Sequence, residues 1–141
     1  MEKQLNKFLA DLVVMYHKLQ HFHWYVKGAD FFEVHAKIEE YYDEINEDVD
    51  DVAEVMLQCK FKPASTLKEF LKLSSITEPK AGFVNSATAL KAILADYKHL
   101  LDSAKAVKVA ADKANNYLVS AKADDYIEQF SKVIWMLGQT L

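Results

Sequence analysis

The scarcity of helix-breaking residues is the feature that most constrains the fold of this chain. Only two prolines, Pro63 and Pro79, and three glycines occur in 141 residues. A turn-rich β fold needs many more of both, because proline and glycine supply the special backbone conformations of turns. The long segments between these residues therefore predict long helices. The length fits one domain over residues 1–141, which can bury a core without disulfides or a structural metal.

Apolar residues recur with helical spacing in four long segments of the sequence. The first segment runs from Leu5 to Val26 and is followed by Gly28, and the second runs from about Phe31 to Lys60. A third segment has its apolar face over residues 90–107, and a shorter fourth segment has its apolar face over residues 127–137. Because only a few residues join the first two segments, we expect these helices to pack antiparallel.

The connections between the segments predict the topology. Pro63 ends the second helix, and the long stretch after it contains a short helical segment opened by a capping box of Thr66 and Glu69. A similar box, Asp30 with Glu33, opens the second helix. A short, a long and a short connection are typical of a bundle with one crossover. We therefore predict an all-α, ferritin-like four-helix bundle with a short extra helix in the long crossover between helices two and three.

Composition limits the compartment and the partners. No segment reaches the roughly 20 consecutive apolar residues that span a bilayer, and the start Met1-Glu2-Lys3-Gln4 lacks the order of a secretory signal. A single cysteine, Cys59, suits a reducing compartment. We expect a cytoplasmic protein without membrane contacts. The net charge is −4 and no Lys/Arg-rich tail is present, so compaction of DNA by a basic tail is not expected.

Four potential metal ligands share one band on the second helix. At about 100° per residue, with His35 at zero, Glu39, Asp50 and Glu54 fall near 40°, 60° and 100°. The apolar stripe, at roughly 240–340°, contains Val34, Ile38, Tyr41 or Tyr42, Ile45, Val49, Val52 and Met56. The acidic residues expected to face solvent, near 140–180°, are Glu40, Glu44 and Asp51.

The band divides into two half-sites that one ion cannot share within one chain. His35 and Glu39 are one helical turn apart, and so are Asp50 and Glu54. About 16 Å of helix separates Glu39 from Asp50, whereas metal–ligand bonds are only about 2 Å long. His23 lies on the inward face of the first helix, as far before the loop as His35 lies after it, so an antiparallel hairpin places both histidines at the same height.

A two-fold axis that pairs two such hairpins antiparallel would bring unlike half-sites together. Two identical mixed sites per dimer would result, as an isologous contact requires. Imidazole and carboxylate ligands suit Fe(II) or Zn(II). Acids and histidines on a long helix also commonly form nothing more than a solvated face, and spacing alone leaves that interpretation open.

Three sequence motifs together resemble the Dps family of mini-ferritins. They are His21-Phe22-His23-Trp24-Tyr25-Val26-Lys27-Gly28, Phe31-Phe32-x-x-His35 and Asp50-x-x-x-Glu54, and the final Ile134-Trp135-Met136-Leu137 resembles the last helix of that family. The similarity covers nearly the whole chain. The resemblance implies a dodecamer built from two-fold dimers, with His23, His35 and Glu39 of one subunit and Asp50 and Glu54 of its partner as iron ligands.

The same resemblance implies a chemistry. Fe(II) would be oxidised at the interface, with hydrogen peroxide in preference to dioxygen, and Fe(III) stored as mineral in the shell, which protects against oxidative damage. Members usually carry Asp where this chain has Glu39, so the extra methylene is expected to alter how a second iron is held. Trp24 matches a family tryptophan near the iron, although a single tryptophan can equally serve core packing.

Alternatives from other classes remain open at this point. The chain could form a structural or nucleoid-associated shell with an inactive site, or the site could hold zinc or manganese, which ligand type discriminates poorly from iron. No Glu-x-x-His occurs, so a di-iron site of that type inside one subunit is excluded. The remaining candidates are expected to be surface or packing residues, and they are His17, His21, His99 and Cys59.

Overall fold

Five α-helices and one pair of two-residue strands form the fold in the computed structural model, which describes residues 1–141. In chain order the elements are α1 (Glu2–Tyr25), β1 (Val26–Lys27), α2 (Phe31–Gln58), α3 (Leu67–Leu73), β2 (Val84–Asn85), α4 (Ser86–Lys113) and α5 (Tyr117–Thr140). The predicted ferritin-like bundle with a short helix in its crossover is confirmed, and only the strand pair was not predicted. None of the helices combines the length and the apolar character needed to cross a membrane.

The two predicted capping boxes have different outcomes. The box that opens α3 is confirmed, because Thr66 Oγ1 accepts a hydrogen bond from the Glu69 backbone N–H at 3.3 Å and Glu69 Oε2 accepts one from the Thr66 N–H at 3.0 Å. The prediction of a capping box formed by Asp30 and Glu33 is wrong. Asp30 is the N-cap of α2, but its backbone (φ −97°, ψ 20°) lies outside the extended region usual for capping residues, and its side chain caps nothing. Its Oδ2 instead accepts a hydrogen bond from Ser86 Oγ at 2.8 Å.

Two antiparallel helical hairpins, α1–α2 and α4–α5, are joined by the long crossover. The crossover leaves the far end of α2 at Gln58 and returns to the loop of the first hairpin. There β1 and β2 pair in parallel, with Val26 opposite Val84 and Lys27 opposite Asn85. Gly28 follows β1 with φ +150°, a conformation that L side chains rarely adopt, and turns the chain into α2. The loop end of the first hairpin is therefore tied to the start of α4.

The buried face of α2 is wider than the helical wheel predicts. Tyr41, rather than Tyr42, is the tyrosine buried in the core. The expectation that Asp51 faces solvent is wrong, because Asp51 accepts hydrogen bonds from Lys122 Nζ at 2.9 Å and from Tyr126 Oη at 2.5 Å. The helical wheel predicted only the apolar stripe of α2. The helix also contacts α5 through polar side chains that lie beside this stripe.

Asp48 is the buried carboxylate of this α2–α5 contact. Its Oδ2 accepts a hydrogen bond from Gln129 Nε2 at 2.8 Å, and the residue is only 8% exposed. Burial raises the pKa of Asp48 to about 7, and the nearby carboxylate of Asp51 adds to the increase. The carboxyl group therefore costs stability whenever it is charged.

A second buried carboxylate, Asp11 of α1, anchors the crossover and α4. Its Oδ1 accepts hydrogen bonds from Ser74 Oγ at 2.8 Å and from the Ser75 N–H at 2.7 Å, just after α3. Its Oδ2 lies 2.8 Å from Lys7 Nζ and 2.8 Å from Nε2 of His99 on α4. Burial acts to raise the pKa of Asp11, but these hydrogen bonds outweigh burial and hold the pKa below 3.8. His99 therefore has a buried acidic partner, 88 residues away in sequence.

We predict that Asp11→Asn destabilises the fold by about 2–4 kcal/mol near neutral pH, because an amide loses the charge that Lys7 and His99 face and turns a donor either towards these two residues or towards the donors of Ser74 and Ser75. The pKa of Asp11 is lowered in the folded state. Its contribution to the free energy of unfolding is therefore present above pH 3.8 and is lost as the pH falls through the lowered pKa. Denaturant unfolding measures the difference, with exposed Asp102→Asn on α4 as the control. Equal losses in both variants would contradict the anchoring role.

Candidate metal centre

The two histidines predicted to meet near the hairpin loop stack on one another. The ring centroids of His23 and His35 are 3.6 Å apart, and their planes are inclined by 11°. His23 Nδ1 lies 2.7 Å from the backbone oxygen of His35, and His35 Nδ1 lies 2.7 Å from the backbone oxygen of His23. His23 is buried at 7% exposure, as its inward position predicts, and His35 is half-buried.

These reciprocal contacts determine which nitrogen of each ring can bind a cation. A carbonyl oxygen only accepts hydrogen bonds, so Nδ1 of both His23 and His35 must carry the proton and donate it. In a neutral imidazole this leaves the lone pair on Nε2 of each ring. Metal-binding histidines are commonly oriented in this way, with the other ring nitrogen donating to a carbonyl or a carboxylate. Both histidines are therefore held in a tautomer that suits metal binding.

Glu39, one turn after His35, has a single side-chain partner. The Tyr42 hydroxyl donates a hydrogen bond to Glu39 Oε1 at 3.3 Å, and the glutamate is otherwise exposed. Burial and the charge of the Glu39 carboxylate raise the pKa of Tyr42, so the phenol keeps its proton and remains a donor. Tyr42 was not predicted as part of this site, although its position three residues after Glu39 on α2 places the two side chains side by side.

Asp50 and Glu54 form a separate, exposed pair farther along α2. The helix is continuous from Phe31 to Gln58, so the separation of about 16 Å between Glu39 and Asp50 along the axis applies. No group of three or more histidine, cysteine, aspartate or glutamate side chains within the chain is arranged to hold a metal ion. The chain brings His23 and His35 together, with Glu39 one helical turn after His35, and it does not bring Asp50 and Glu54 to them.

Large apolar side chains are exposed around these residues. Trp24 is 57% exposed, and its ring meets the His17 ring edge-to-face at a centroid distance of 6.0 Å, so core packing does not explain it. Phe32 is 82% exposed and Leu57 is 61% exposed, and both fall near 40–60° on the wheel of α2, inside the band of acidic residues. Because about 37 Å of helix separates them, Phe32 and Leu57 are single exposed apolar side chains at the two ends of the band and do not form one patch.

The histidines outside this band occupy packing or surface positions. His17 is exposed, with Nδ1 3.2 Å from Gln20 Oε1. His21 stacks on Tyr25 at a centroid distance of 5.0 Å, and its Nε2 is buried without a partner. The sulfur of Cys59 lies 3.5 Å from Asn116 Nδ2 at the other end of the bundle.

Comparison with known proteins identifies relatives along almost the whole chain. Residues 2–141 match the family described as the Ferritin-like domain. The "DNA protection during starvation protein" of Helicobacter pylori strain J99 is 38% identical over 133 residues, which are 94% of this chain and 92% of that protein.

Solved structures agree with the sequence comparison. The crystal structure of antigen TpF1 from Treponema pallidum superposes with a TM-score of 0.97 at 33% identity, over 99% of this chain and 90% of that one. A Vibrio cholerae O1 Dps, described as a member of a broad superfamily of ferritin-like diiron-carboxylate proteins, superposes with a TM-score of 0.94 at 28% identity, over 98% of this chain and 86% of that one. The chain is therefore a member of the Dps family of ferritin-like proteins.

Proposed function

We propose that this protein oxidises Fe(II) at sites shared between two subunits and stores the Fe(III) inside a dodecameric shell. The observation that carries the proposal is the reciprocal hydrogen bonding of His23 and His35, which leaves Nε2 of both rings available to a metal ion, with Glu39 one helical turn after His35. This half-site needs further ligands, and Asp50 and Glu54 of a second subunit would supply them. Membership of the Dps family supports the proposal.

The spacing along α2 determines how two subunits would pair. His35 and Glu54 are equally far from the point between Glu44 and Ile45, and so are Glu39 and Asp50. A two-fold axis through that point, with the two α2 helices antiparallel, would complete both sites at once. The same axis would place exposed Phe32 opposite Leu57 of the partner subunit. One register would therefore join the ligands and cover the apolar side chains at both ends of the band.

The donor set suits oxidation by peroxide. Imidazole nitrogens and carboxylate oxygens bind Fe(II) and stabilise the higher charge of Fe(III), which favours loss of an electron. One hydrogen peroxide takes up two electrons and two protons to give two waters, so two Fe(II) ions are converted to Fe(III) for each peroxide. Paired transfer of the electrons avoids release of hydroxyl radical, which a single Fe(II) would produce.

We predict that the purified protein, mixed with Fe(II) and then with hydrogen peroxide, consumes about two Fe(II) per peroxide and retains the iron. Absorbance follows the oxidation, and size-exclusion chromatography with light scattering and iron analysis determines whether iron elutes with a particle of about twelve chains. The matched control carries Asp50→Asn and Glu54→Gln, changes to exposed side chains that preserve shape. A monomeric chain, or oxidation no faster than in the control, would refute the proposal.

A further inference from the structure

The three ligands of the histidine half-site are not held equally well. The rings of His23 and His35 are fixed by hydrogen bonds to main-chain carbonyls at 2.7 Å. The carboxylate of Glu39 is exposed at the end of a flexible side chain, and its hydrogen bond comes from the Tyr42 hydroxyl. The conformation of this third ligand, the Glu39 side chain, therefore depends on Tyr42.

Tyr42 itself is held by aromatic contacts on two sides. Its ring meets the His23 ring edge-to-face, at a centroid distance of 5.3 Å and an angle of 81°. On another side it meets the ring of Tyr16 on α1 at 5.8 Å and 84°. These contacts with α1 restrict rotation of the ring, so the hydroxyl has a defined position on the side of α2 that faces His23 of α1.

We propose that Tyr42 is a positioning residue that holds Glu39 for iron binding, an inference that rests on the proposed function. The hydroxyl occupies one lone pair of Oε1, which leaves Oε2 free for a cation. The glutamate would then bind through one oxygen. Glutamate has one more rotatable bond than aspartate, so the fixed hydroxyl restricts a longer side chain that otherwise samples more conformations.

The test measures binding of Co(II) in the absence of peroxide, so that the metal is not oxidised. The visible absorbance of Co(II) reports on its ligands. We expect Tyr42→Phe to keep both ring contacts, to weaken Co(II) binding about tenfold, which is the lower end for loss of a supporting partner, and to change the Co(II) spectrum. Tyr16→Phe is the matched control, because the Tyr16 hydroxyl accepts a hydrogen bond from Gln20 and does not contact Glu39.

A double-mutant cycle separates positioning from a general structural effect. The shorter side chain of Glu39→Asp withdraws the carboxylate from the Tyr42 hydroxyl, so in that background Tyr42→Phe should change the Co(II) affinity by less than about twofold. Wild-type affinity in Tyr42→Phe, or an equal loss in both backgrounds, would overturn the inference. If Glu39→Asp binds Co(II) too weakly to measure, the Co(II) affinity of the single variant Tyr42→Phe decides alone. Absence of Co(II) binding by the wild-type protein would instead refute the proposed function.

Discussion

Assemblies that contain both His35→Ala and Asp50→Ala chains are expected to oxidise iron, although neither variant alone does so. Each variant should lose at least about 100-fold in rate, the upper end of the loss when only a supporting partner is removed. In a mixed dimer one site loses both altered residues and the other keeps all its ligands. Random pairing makes half of the dimers mixed, so about one quarter of all sites should be intact.

Co-expression of the two variants with different affinity tags, followed by two purification steps, yields assemblies that contain both chains. Their iron oxidation by peroxide is compared with that of each variant alone and of the wild-type protein. Glu33→Ala is the control, since Glu33 is an exposed carboxylate on α2 about 160° away from His35. Mixed assemblies as inactive as the single variants would mean that each site is formed within one chain.

Asp48→Asn is expected to raise the free energy of unfolding above pH 7. Asp48 keeps its proton up to about pH 7 when folded, whereas its ordinary pKa is 3.8. Between these values the folded state binds more protons than the unfolded state, so stability falls as pH rises and stays low above pH 7. At about 1.4 kcal/mol for each pH unit, the cost reaches at most about 4 kcal/mol.

Asparagine removes this cost and still offers a carbonyl oxygen to Gln129. The gain in stability should therefore be largest at pH 8 and small at pH 4, where aspartic acid is also uncharged when folded. Denaturant unfolding at pH 8 and pH 4 measures this gain in stability, with exposed Asp43→Asn on α2 as the control. A variant that is no more stable than the wild-type protein at pH 8 would show that Asp48 is stabilised by contacts that outweigh its burial.

Sequence periodicity was sufficient for the elements that depend on neighbours along the chain. The long helices, the short α3 with its Thr66 cap, and the meeting of His23 with His35 follow from spacing and from one short loop. The reciprocal hydrogen bonds of the two histidines did not follow, because they depend on how the carbonyl groups near the end of α1 and the beginning of α2 are oriented. Periodicity places a side chain on a face and does not specify its rotamer.

Long-range polar contacts were the other part that the sequence could not provide. Asp11 and His99 are 88 residues apart, and nothing in either local pattern links them. Asp51 falls near 160° on the helical wheel, away from the apolar stripe, yet Lys122 and Tyr126 of α5 donate hydrogen bonds to it. Asp48 could have been recognised, since it falls near 220° on the wheel, close to the apolar stripe of α2.

The main-chain anchoring of the two imidazoles bears on how such a centre can change during evolution. The acceptor for each ring is a peptide oxygen and not the other side chain. A descendant that loses one histidine therefore still presents the other in the same tautomer. If these histidines bind metal as proposed, they could be exchanged one at a time while the other keeps its main-chain hydrogen bond, so related proteins with the same backbone could differ in metal preference.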